Sequence, residues 1–298
     1  MLVHLVDGTY ELFRHHFGVP SHLDADGTEV AAARGVVGSV LGMLEQGATH
    51  VGVATDQVIE SFRNDLWPGY KTSAGVPPEL LAQFPIVEDG LAALGVALWP
   101  MLELEADDAM ASAAAVARTD PRVERVLLCT PDKDLGQCVV DPVVAQLDRR
   151  RDTVIDEAGV RAKFGVAPAS IPDYLALVGD SADGFPGLPG WGSKSAAAVL
   201  ARYEHLTAIP DDAREWDVDV RGAAKLASTL ATARDAALLF LDLATLRTTA
   251  DVGTVDDWEW CGPRPELEPW AERVGADNLV RRAARLADEN EKKRDEKR

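Results

Sequence analysis

Apolar segments of five or six residues recur along the first half of the chain, and each leads into an acidic residue. LVHLV precedes Asp7, HVGVAT precedes Asp56, and RVLLCT precedes the acidic run Pro131-Asp132-Lys133-Asp134. A further strand is indicated by VVAQLD, and helical patterns separate the strands at 32–46, 78–94 and 107–118. This alternation predicts an α/β domain with a mainly parallel central sheet.

The pattern changes after about residue 168, where helical stretches follow one another without strands. These stretches are IPDYLALV, AAAVLARY and LASTLATARDAALLFLDLATL, with a polar connection at 204–220. The predicted division is therefore an α/β core at 1–168, a helical subdomain at 169–250 and a C-terminal extension at 251–298. The last 18 residues hold eight basic and five acidic side chains, which is more typical of a solvated or frayed helix than of a folded unit.

Acidic residues after parallel strands are expected to meet, because the carboxyl ends of such strands share one edge of the sheet. A single aspartate at this position is usually a helix cap, and Glu105-Ala106-Asp107-Asp108 alone could be the acidic first turn of a helix. Five acidic clusters at one edge would repel each other unless divalent cations neutralise them. The pattern favours a metal-dependent hydrolase, with two Mg²⁺ or Mn²⁺ ions about 4 Å apart holding a phosphodiester.

Two further segments carry candidate chemistry. Residues 185–195, FPGLPGWGSKS, could be a simple turn, but a Gly-x-Gly followed by a helix start exposes N–H groups that bind a phosphate without reading a base. The spacing is one residue too long for a P-loop. Arg63 and Lys71 follow the Asp56 strand and are candidates to stabilise developing phosphate charge. Between them, Trp67 and Tyr70 either stack on a base or pack in the core.

Composition describes an ordinary globular chain with a strong acidic bias. The 298 residues are 47% hydrophobic, with a net charge of −19 and three cysteines without metal-type spacing. The absence of a long apolar run or a signal peptide predicts a cytoplasmic protein without membrane contact. The charge weighs against tight nucleic-acid binding, although bound metals would offset part of it.

The motifs named above resemble those of the 5′-nuclease family, which includes flap endonucleases and the N-terminal 5′–3′ exonuclease domain of bacterial DNA polymerase I. The similar stretches run in the family's order over residues 2–248 and include VDGTYELFR, SFRNDLWPGYK, LEADDAMAS, CTPDKDLGQCV and GDSADGFPGLPGWGSKSAAAVLARY. No polymerase domain follows, so the resemblance is to a stand-alone member.

This resemblance implies a PIN-like core, a helix–three-turn–helix DNA-binding element and two-metal hydrolysis of DNA at 5′ flaps or 5′ ends in replication or repair. The implied metal ligands are Asp7, Asp56, Glu105, Asp107 and Asp108 for the first ion, and Asp132, Asp134, Asp180 and Asp183 for the second. Arg63 and Lys71 fall on catalytic basic positions. The implied DNA contacts are Gly190, Gly192, Ser193, Lys194, Arg221 and Lys225, with K⁺ as a possible ion at the hairpin. The implied partners are a DNA polymerase and a ligase, and a monomer is sufficient.

The chain also departs from the family pattern. Ala74, Pro131 and Gly184 replace the usual arginine, glycine and asparagine, and residues 72–117 contain no Lys, Arg or His. The resemblance places an arch over the threaded strand at about 72–104, so weak gripping of that strand is expected. Two alternatives stay open: a PIN-type RNase, against which the 179–195 hairpin argues, and a DNA-binding family member with weak cleavage.

Overall fold

A six-stranded sheet forms the centre of the molecule in the computed structural model, which describes residues 1–295. The strands are β1 (Leu2–Asp7), β2 (His50–Asp56), β3 (Ala97–Met101), β4 (Arg125–Cys129), β5 (Val144–Asp148) and β6 (Thr153–Ile155). Their spatial order is β3-β2-β1-β4-β5-β6, and every neighbouring pair is parallel except β5 and β6. The mainly parallel sheet predicted from the sequence is therefore present, with a short antiparallel edge strand that was not predicted.

Thirteen α-helices are found in the described part of the chain. They are α1 (Gly8–Gly18), α2 (Ala31–Glu45), α3 (Phe62–Leu66), α4 (Pro78–Leu81), α5 (Gln83–Leu94), α6 (Ala106–Thr119), α7 (Glu157–Phe164), α8 (Ile171–Val178), α9 (Ser193–Tyr203), α10 (Ala223–Thr232), α11 (Arg234–Ala244), α12 (Leu267–Val274) and α13 (Asp277–Asp295). None of them is both long and apolar enough to cross a membrane.

The two faces of the sheet are covered by different helices, as expected for strands whose side chains alternate between faces. Val51 and Val53 pack with α2, α5 and α12 on one face. Val3 and Leu5 pack with the alanine-rich face of α6 on the other face. Since α6 begins where β2 and β3 end, its acidic first turn lies at the carboxyl edge of the sheet.

The stretch predicted as an arch is mostly part of the core. In α5, Phe84, Val87 and Leu91 are fully buried against α2 and the sheet. The Trp270 indole N–H also donates to the Ile86 carbonyl at 2.8 Å. The prediction of an arch at 72–104 is therefore wrong for most of this stretch, because the apolar side chains of α5 pack in the core. Only the segment before α4 lies outside the core.

The C-terminal extension folds back onto the α/β core. The Trp260 indole N–H donates to the Leu94 carbonyl at 2.8 Å. Helix α13 buries Leu279, Ala283 and Leu286, and Arg282 pairs with Glu45 of α2 at 2.7 Å. The expectation of a frayed terminal segment was therefore wrong for the first half of α13, because apolar residues at helical spacing dock it. Residues 296–298, which belong to the same expected segment, lie outside the described residues.

The helical subdomain consists of α8 to α11, where the sequence predicted three helical stretches. The longest predicted stretch, 226–246, breaks at Ala233 into α10 and α11. Helix α11 packs beside α8, and Phe240 stacks on Phe185 with ring centres 5.8 Å apart. The loop that joins α8 to α9 is thereby fixed against the helix pair.

Candidate active site

The first strand delivers Asp7 to the carboxyl edge of the sheet and begins a helix there. One Asp7 carboxylate oxygen accepts from the Tyr10 backbone N–H at 2.8 Å, which caps α1. The other oxygen accepts from the Thr130 hydroxyl at the end of β4 at 2.9 Å. Burial raises the pKa of Asp7 to about 7, and the charges of Asp56 and Asp132 add to this rise. Asp7 is thus both a helix cap and part of an acidic group.

Asp56 ends β2 and joins the neighbouring elements at the same edge. Its backbone N–H donates to the Thr9 hydroxyl at 2.8 Å. Its carboxylate accepts from the Ala106 N–H at 2.7 Å, so it also touches the start of α6. Burial is the main cause of the raised pKa of Asp56.

Asp107 and Asp132 lie beside Asp7 and Asp56, and Asp132 accepts the Asp134 backbone N–H at 2.9 Å. The Asp107 carboxylate makes no hydrogen bond or ion pair within residues 1–295. Burial, followed by the charges of Asp132 and Asp7, raises the pKa of Asp107 well above its usual value. Asp132 lies more exposed, at the mouth of the site. Buried carboxylates whose charges repel one another are a suitable position for a divalent cation, because the cation would neutralise them.

Three carboxylates from two loops form a second acidic group. Asp134, Asp180 and Asp183 each offer one oxygen, and these atoms lie within 4.8 Å of one another. One oxygen of Asp134 is buried without a hydrogen-bond partner in the described structure. Oxygen-only ligands at this spacing fit a hard divalent cation such as Mg²⁺ or Mn²⁺. Lys133 lies beside them, paired with Asp180 and 3.8 Å from Asp134.

Lys71 lies between Glu105 at the start of α6 and Asp183 of the second acidic group. Its ammonium lies 2.7 Å from Glu105 and 3.1 Å from Asp183, and it is 28% exposed. Burial alone would lower the pKa of Lys71, but the charges of Glu105 and Asp183 outweigh burial and raise it. Lys71 is therefore a fixed cation, and its exposed fraction leaves it within reach of a ligand at this edge.

Arg63 and Asp108 form a buried ion pair and do not line the open site. Two guanidinium nitrogens of Arg63 donate to the two Asp108 oxygens, both at 2.8 Å. The same oxygens accept backbone N–H groups from Glu105 and Arg247, so no lone pair of Asp108 is left for a metal. Arg63 is 1% exposed and also donates to the Leu243 carbonyl at the end of α11.

Two predicted roles are corrected by this geometry. Asp108 is not a metal ligand, because its oxygens are filled by the protein. Arg63 is not placed to touch a phosphate, because it is buried between α6 and α11. Helix geometry directs Asp107 and Asp108 about 100° apart, but the sequence gave no signal of which one Arg63 and Arg247 would bind.

The loop between α8 and α9 leaves an open surface at the start of α9. A side chain at Gly190 or Gly192 would meet no protein atom within 4 Å, and Gly190 has a φ of +86° that favours glycine. Ser193 and Lys194 begin α9 and are exposed. A helix start with free N–H groups and a lysine is suited to a phosphate oxygen.

Arg221 and Lys225 lie near this surface at the start of α10. Trp191, in the loop before α9, links this surface to α10, because its indole N–H donates to the Leu226 carbonyl at 3.3 Å. Arg221, Lys225 and Lys194 are exposed, and none forms an ion pair within residues 1–295. These three side chains make up the basic surface around the starts of α9 and α10.

Two residues of the site were missed from the sequence. Lys133 contacts the second acidic group, and its position inside Asp132-Lys133-Asp134 was the available signal. Thr130 donates to Asp7, and its place as the last residue of RVLLCT could have suggested it. Neither residue type is acidic, so neither belongs to the pattern of carboxylates that predicts metal ligands.

Family models cover most of the chain. The model described as 5′-3′ exonuclease, N-terminal resolvase-like domain, matches residues 2–165. The model described as 5′-3′ exonuclease, C-terminal SAM fold, matches residues 166–266. Together they leave only the first residue and the end of the C-terminal extension unmatched.

Relatives and solved structures agree with these matches. DNA polymerase I of Pseudomonas aeruginosa is 31% identical over 259 residues, covering 83% of this chain and 27% of the relative. DNA polymerase I of Rhizobium leguminosarum is 31% identical, covering 95% of this chain and 28% of the relative. The chain thus spans under a third of the length of these curated relatives.

The fold is also similar to that of solved nucleases. The T5 D15 protein co-crystallised with metal ions has a TM-score of 0.66 at 18% identity, covering 97% of this chain and 99% of that one. The catalytic core of Rad2 in complex with DNA has a TM-score of 0.60 at 15% identity, covering 93% of this chain and 90% of that one. At these identities the likeness concerns the fold.

Proposed function

The chain belongs to the 5′–3′ exonuclease family and is a nuclease by that membership, and from this premise we propose that it hydrolyses DNA phosphodiesters at 5′ flaps or 5′ ends. The observation that carries the proposal is the acidic edge, where Asp7, Asp107 and Asp134 are held together without enough cations of their own. A decayed enzyme would have no reason to retain mutually repelling carboxylates.

The spacing of Asp134, Asp180 and Asp183 fits Mg²⁺ or Mn²⁺, and we propose a further ion beside the unpaired carboxylates of Asp7 and Asp107. The proposed ligands of the first ion are Asp7, Asp56 and Asp107, and those of the second ion are Asp132, Asp134, Asp180 and Asp183. Glu105 is left out of the predicted set, because one of its oxygens accepts from Ser61 and pairs with Arg63, and the other accepts from Tyr70 and pairs with Lys71. The free Asp134 oxygen supports the second site. Two such ions would lower the pKa of a water nucleophile and offset the charge that develops on the leaving oxygen.

The chain's own residues orient the reaction around these positions. Lys71 is held by Glu105 and Asp183, and it would donate to a non-bridging oxygen of the scissile phosphate as negative charge develops. Thr130 and the Tyr10 N–H fix the Asp7 carboxylate, so that this ligand loses little freedom when a cation binds.

The basic surface at the start of α9 is the proposed DNA contact. Gly190 and Gly192 leave room for a phosphate backbone, and Ser193 and Lys194 offer donors to it. Arg221 and Lys225 would extend the contact along the same strand. In this proposal α8, its loop and α9 form a helix–three-turn–helix element, with K⁺ as a candidate ion at the loop carbonyls.

The remaining proposals concern organisation and setting. We divide the chain into a nuclease core at 1–168, a DNA-binding subdomain at 169–250 and an extension at 251–298, of which the part described to residue 295 packs on the core. One chain supplies every proposed ligand, so a monomer is sufficient. Cutting 5′ flaps in replication or repair would link the protein in the cytoplasm to a DNA polymerase and a ligase.

Cleavage of a labelled 5′-flap duplex in Mn²⁺ tests the main proposal. Asp134→Asn should lower the single-turnover rate by orders of magnitude, because it removes one ligand from a compact metal site. Asp65→Asn is the matched control, since Asp65 is an exposed aspartate on α3. Equal rates for Asp134→Asn and the unmodified protein would exclude the metal assignment.

The stretch 72–117, which contains no Lys, Arg or His to hold a threaded strand for cutting, motivates a second candidate: a DNA-binding family member with weak cleavage. Calorimetry with Mn²⁺ beside the same flap assay separates the two: metal binding without turnover would support the binding protein. Replacing the flap duplex with RNA of matched geometry tests a PIN-type RNase, which would not require the α8–α9 loop.

A further inference from the structure

The second acidic group takes its carboxylates from two parts of the chain. Asp134 belongs to the α/β core and begins the short 3₁₀ turn Asp134–Cys138. Asp180 and Asp183 belong to the loop after α8, in the helical subdomain. Their oxygens come within 4.8 Å of one another because the core and the subdomain are docked in one register. The contacts across this junction therefore decide whether the three carboxylates can share a cation.

The carboxyl end of α11 is where the core receives the helical subdomain. The last carbonyl groups of a helix have no partner within the helix and need donors from elsewhere. The Leu243 carbonyl accepts from Arg63 Nε at 2.8 Å, and the Thr245 carbonyl accepts from a second Arg63 nitrogen at 3.2 Å. The Ala244 carbonyl accepts from the Gln137 side-chain amide at 3.0 Å. Side chains of the core thus cap α11.

Gln137 binds α11 and Asp134 with one side chain. Its amide nitrogen donates to the Asp134 carbonyl at 2.9 Å as well as to the Ala244 carbonyl. Its amide oxygen accepts the Leu246 backbone N–H at 3.0 Å. Both donors and the acceptor of the amide are therefore used, which fixes its orientation. A movement of the end of α11 would be transmitted through this amide to the turn that carries Asp134.

The same helix supports the loop that carries the other two carboxylates. The Asp180 backbone N–H donates to the Phe185 carbonyl at 2.8 Å. Phe185 stacks on Phe240, which precedes Ala244 by one turn of α11. All three carboxylates of the second acidic group are thus positioned from the last two turns of α11.

The place of the Asp134 carboxylate depends on its backbone. One of its oxygens is buried without a hydrogen-bond partner in the described residues, so no side chain holds that oxygen in place. The Gln137 amide, which binds the Asp134 carbonyl, is therefore a main constraint on where the carboxylate points.

We propose that Gln137 is a positioning residue for the second cation site, which keeps Asp134 in register with the loop after α8. Gln137 is not itself a ligand, because backbone groups use its whole amide. Residues that orient metal ligands typically contribute about ten- to hundredfold to metal affinity or activity. The inference rests on the cation site of the proposed nuclease and adds a neutral residue to the carboxylates of that site.

A Mn²⁺ titration followed by electron paramagnetic resonance tests this role without cleavage. The ion whose binding is lost in Asp134→Asn identifies the second site. Gln137→Met keeps the length of the side chain but removes its hydrogen bonds, and it should weaken the binding of that ion about tenfold or more. Gln137→Asn keeps the amide but is one methylene shorter, so its affinity should lie between the two and provides a milder variant for comparison.

Arg234→Gln is the matched control at the opposite end of α11. Arg234 donates to the Leu206 carbonyl at 3.2 Å and pairs with Asp211, and both partners lie within the helical subdomain. This variant weakens the support of α11 without touching the junction, so the Mn²⁺ affinity should stay unchanged. An equal loss of affinity in Arg234→Gln and Gln137→Met would make the loss a general effect of subdomain stability and would overturn the inference.

The flap assay separates an effect on the metal from an effect on DNA. Fluorescence anisotropy in EDTA should give the same affinity of Gln137→Met and the unmodified protein for the flap duplex, because the basic surface is unchanged. Single-turnover cleavage by Gln137→Met should be slow at low Mn²⁺ and approach the unmodified rate at high Mn²⁺. A slow rate that excess Mn²⁺ does not restore would overturn the inference.

The remaining outcomes distinguish this inference from the proposed function. Unchanged Mn²⁺ affinity in Gln137→Met, with urea unfolding showing that the variant is folded, would overturn the inference alone. Mn²⁺ binding without any cleavage by the unmodified protein would refute the nuclease proposal alone. Absence of Mn²⁺ binding that depends on Asp134 would overturn both.

Discussion

The acidic edge has two halves that differ in how their charge is balanced. In the paired half, Arg63 and Lys71 neutralise Glu105 and Asp108 at 2.7–3.2 Å. In the unpaired half, the carboxylates of Asp7 and Asp107 have no basic partner within residues 1–295. The two halves adjoin each other, since Glu105 and Asp107 belong to the same turn.

The pKa values of the two halves move in opposite directions. In the paired half, burial would raise the pKa of Glu105, but the charges of Lys71 and Arg63 outweigh it and lower it. In the unpaired half, burial and neighbouring acids raise the pKa of Asp7 to about 7. At this part of the edge the chain supplies its own cations to Glu105 and Asp108, and it leaves the charge of Asp7 and Asp107 uncompensated where an external cation is proposed to bind.

The largest expected effect is the loss of activity when the unpaired half loses a ligand. Asp107→Asn should lower single-turnover flap cleavage by about a thousandfold, because metal stabilisation of the transition state amounts to several kcal/mol. In EDTA the same variant should be more stable than the unmodified protein, since it removes a repelled carboxylate. An unchanged rate, or lower stability in EDTA, would contradict the proposed division.

The second effect is on stability and concerns the paired half. Arg63→Met should lower the free energy of unfolding by about 3–5 kcal/mol, because it leaves Asp108 buried without its partner. Urea unfolding measures this change. The double variant Arg63→Met/Asp108→Leu should recover much of the loss.

An exposed pair provides the control for this prediction. Arg122 and Asp120 also form a close ion pair, but the Arg122 side chain is 54% exposed. Arg122→Met should therefore cost less than about 1 kcal/mol. If Arg63→Met and Arg122→Met lower the free energy of unfolding equally, burial does not explain the contribution of the Arg63–Asp108 pair to stability.

Lys71 sharpens the comparison because it belongs to the paired half but faces the open site. Lys71→Ala should lower the cleavage rate by about a hundredfold, the effect of losing one charged donor to the transition state. Its cost in urea unfolding should be small, since Lys71 is partly exposed. Lys71→Arg keeps the charge and should retain part of the rate. A large loss of stability in Lys71→Ala would make Lys71 a structural cation like Arg63.

The smallest effect is the pH dependence of the metal-free protein. The folded pKa of Asp7, about 7, lies above the unfolded value near 3.9, so the folded state holds more protons between these values. Stability in EDTA should therefore fall as pH rises, by about 2 kcal/mol from Asp7 alone between about pH 5.5 and 7. Urea unfolding at a series of pH values measures this slope. Asp7→Asn should flatten it, and a stability that rises with pH there would contradict the raised pKa.

Much of the fold followed from local patterns. Alternating strands and helices predicted the parallel sheet, and acidic strand ends predicted which side chains would meet at its edge. Helix breaks at Ala82 and Ala233 were missed, because alanine is a good helix former and gives no local stop signal. The docking of α13 was also missed, since the charged surface residues outnumber Leu279, Ala283 and Leu286.

The sequence by itself determined the residue types and the order of the acidic clusters, because strand periodicity and topology bring successive strand ends to one edge. Tertiary structure decided what each of those residues does there. Asp107 and Asp108 are neighbours in sequence, yet one faces the open site and the other binds Arg63 of the distant helix α3. Such partners come from remote segments, and only the packed chain fixes which carboxylates receive a cation from the protein.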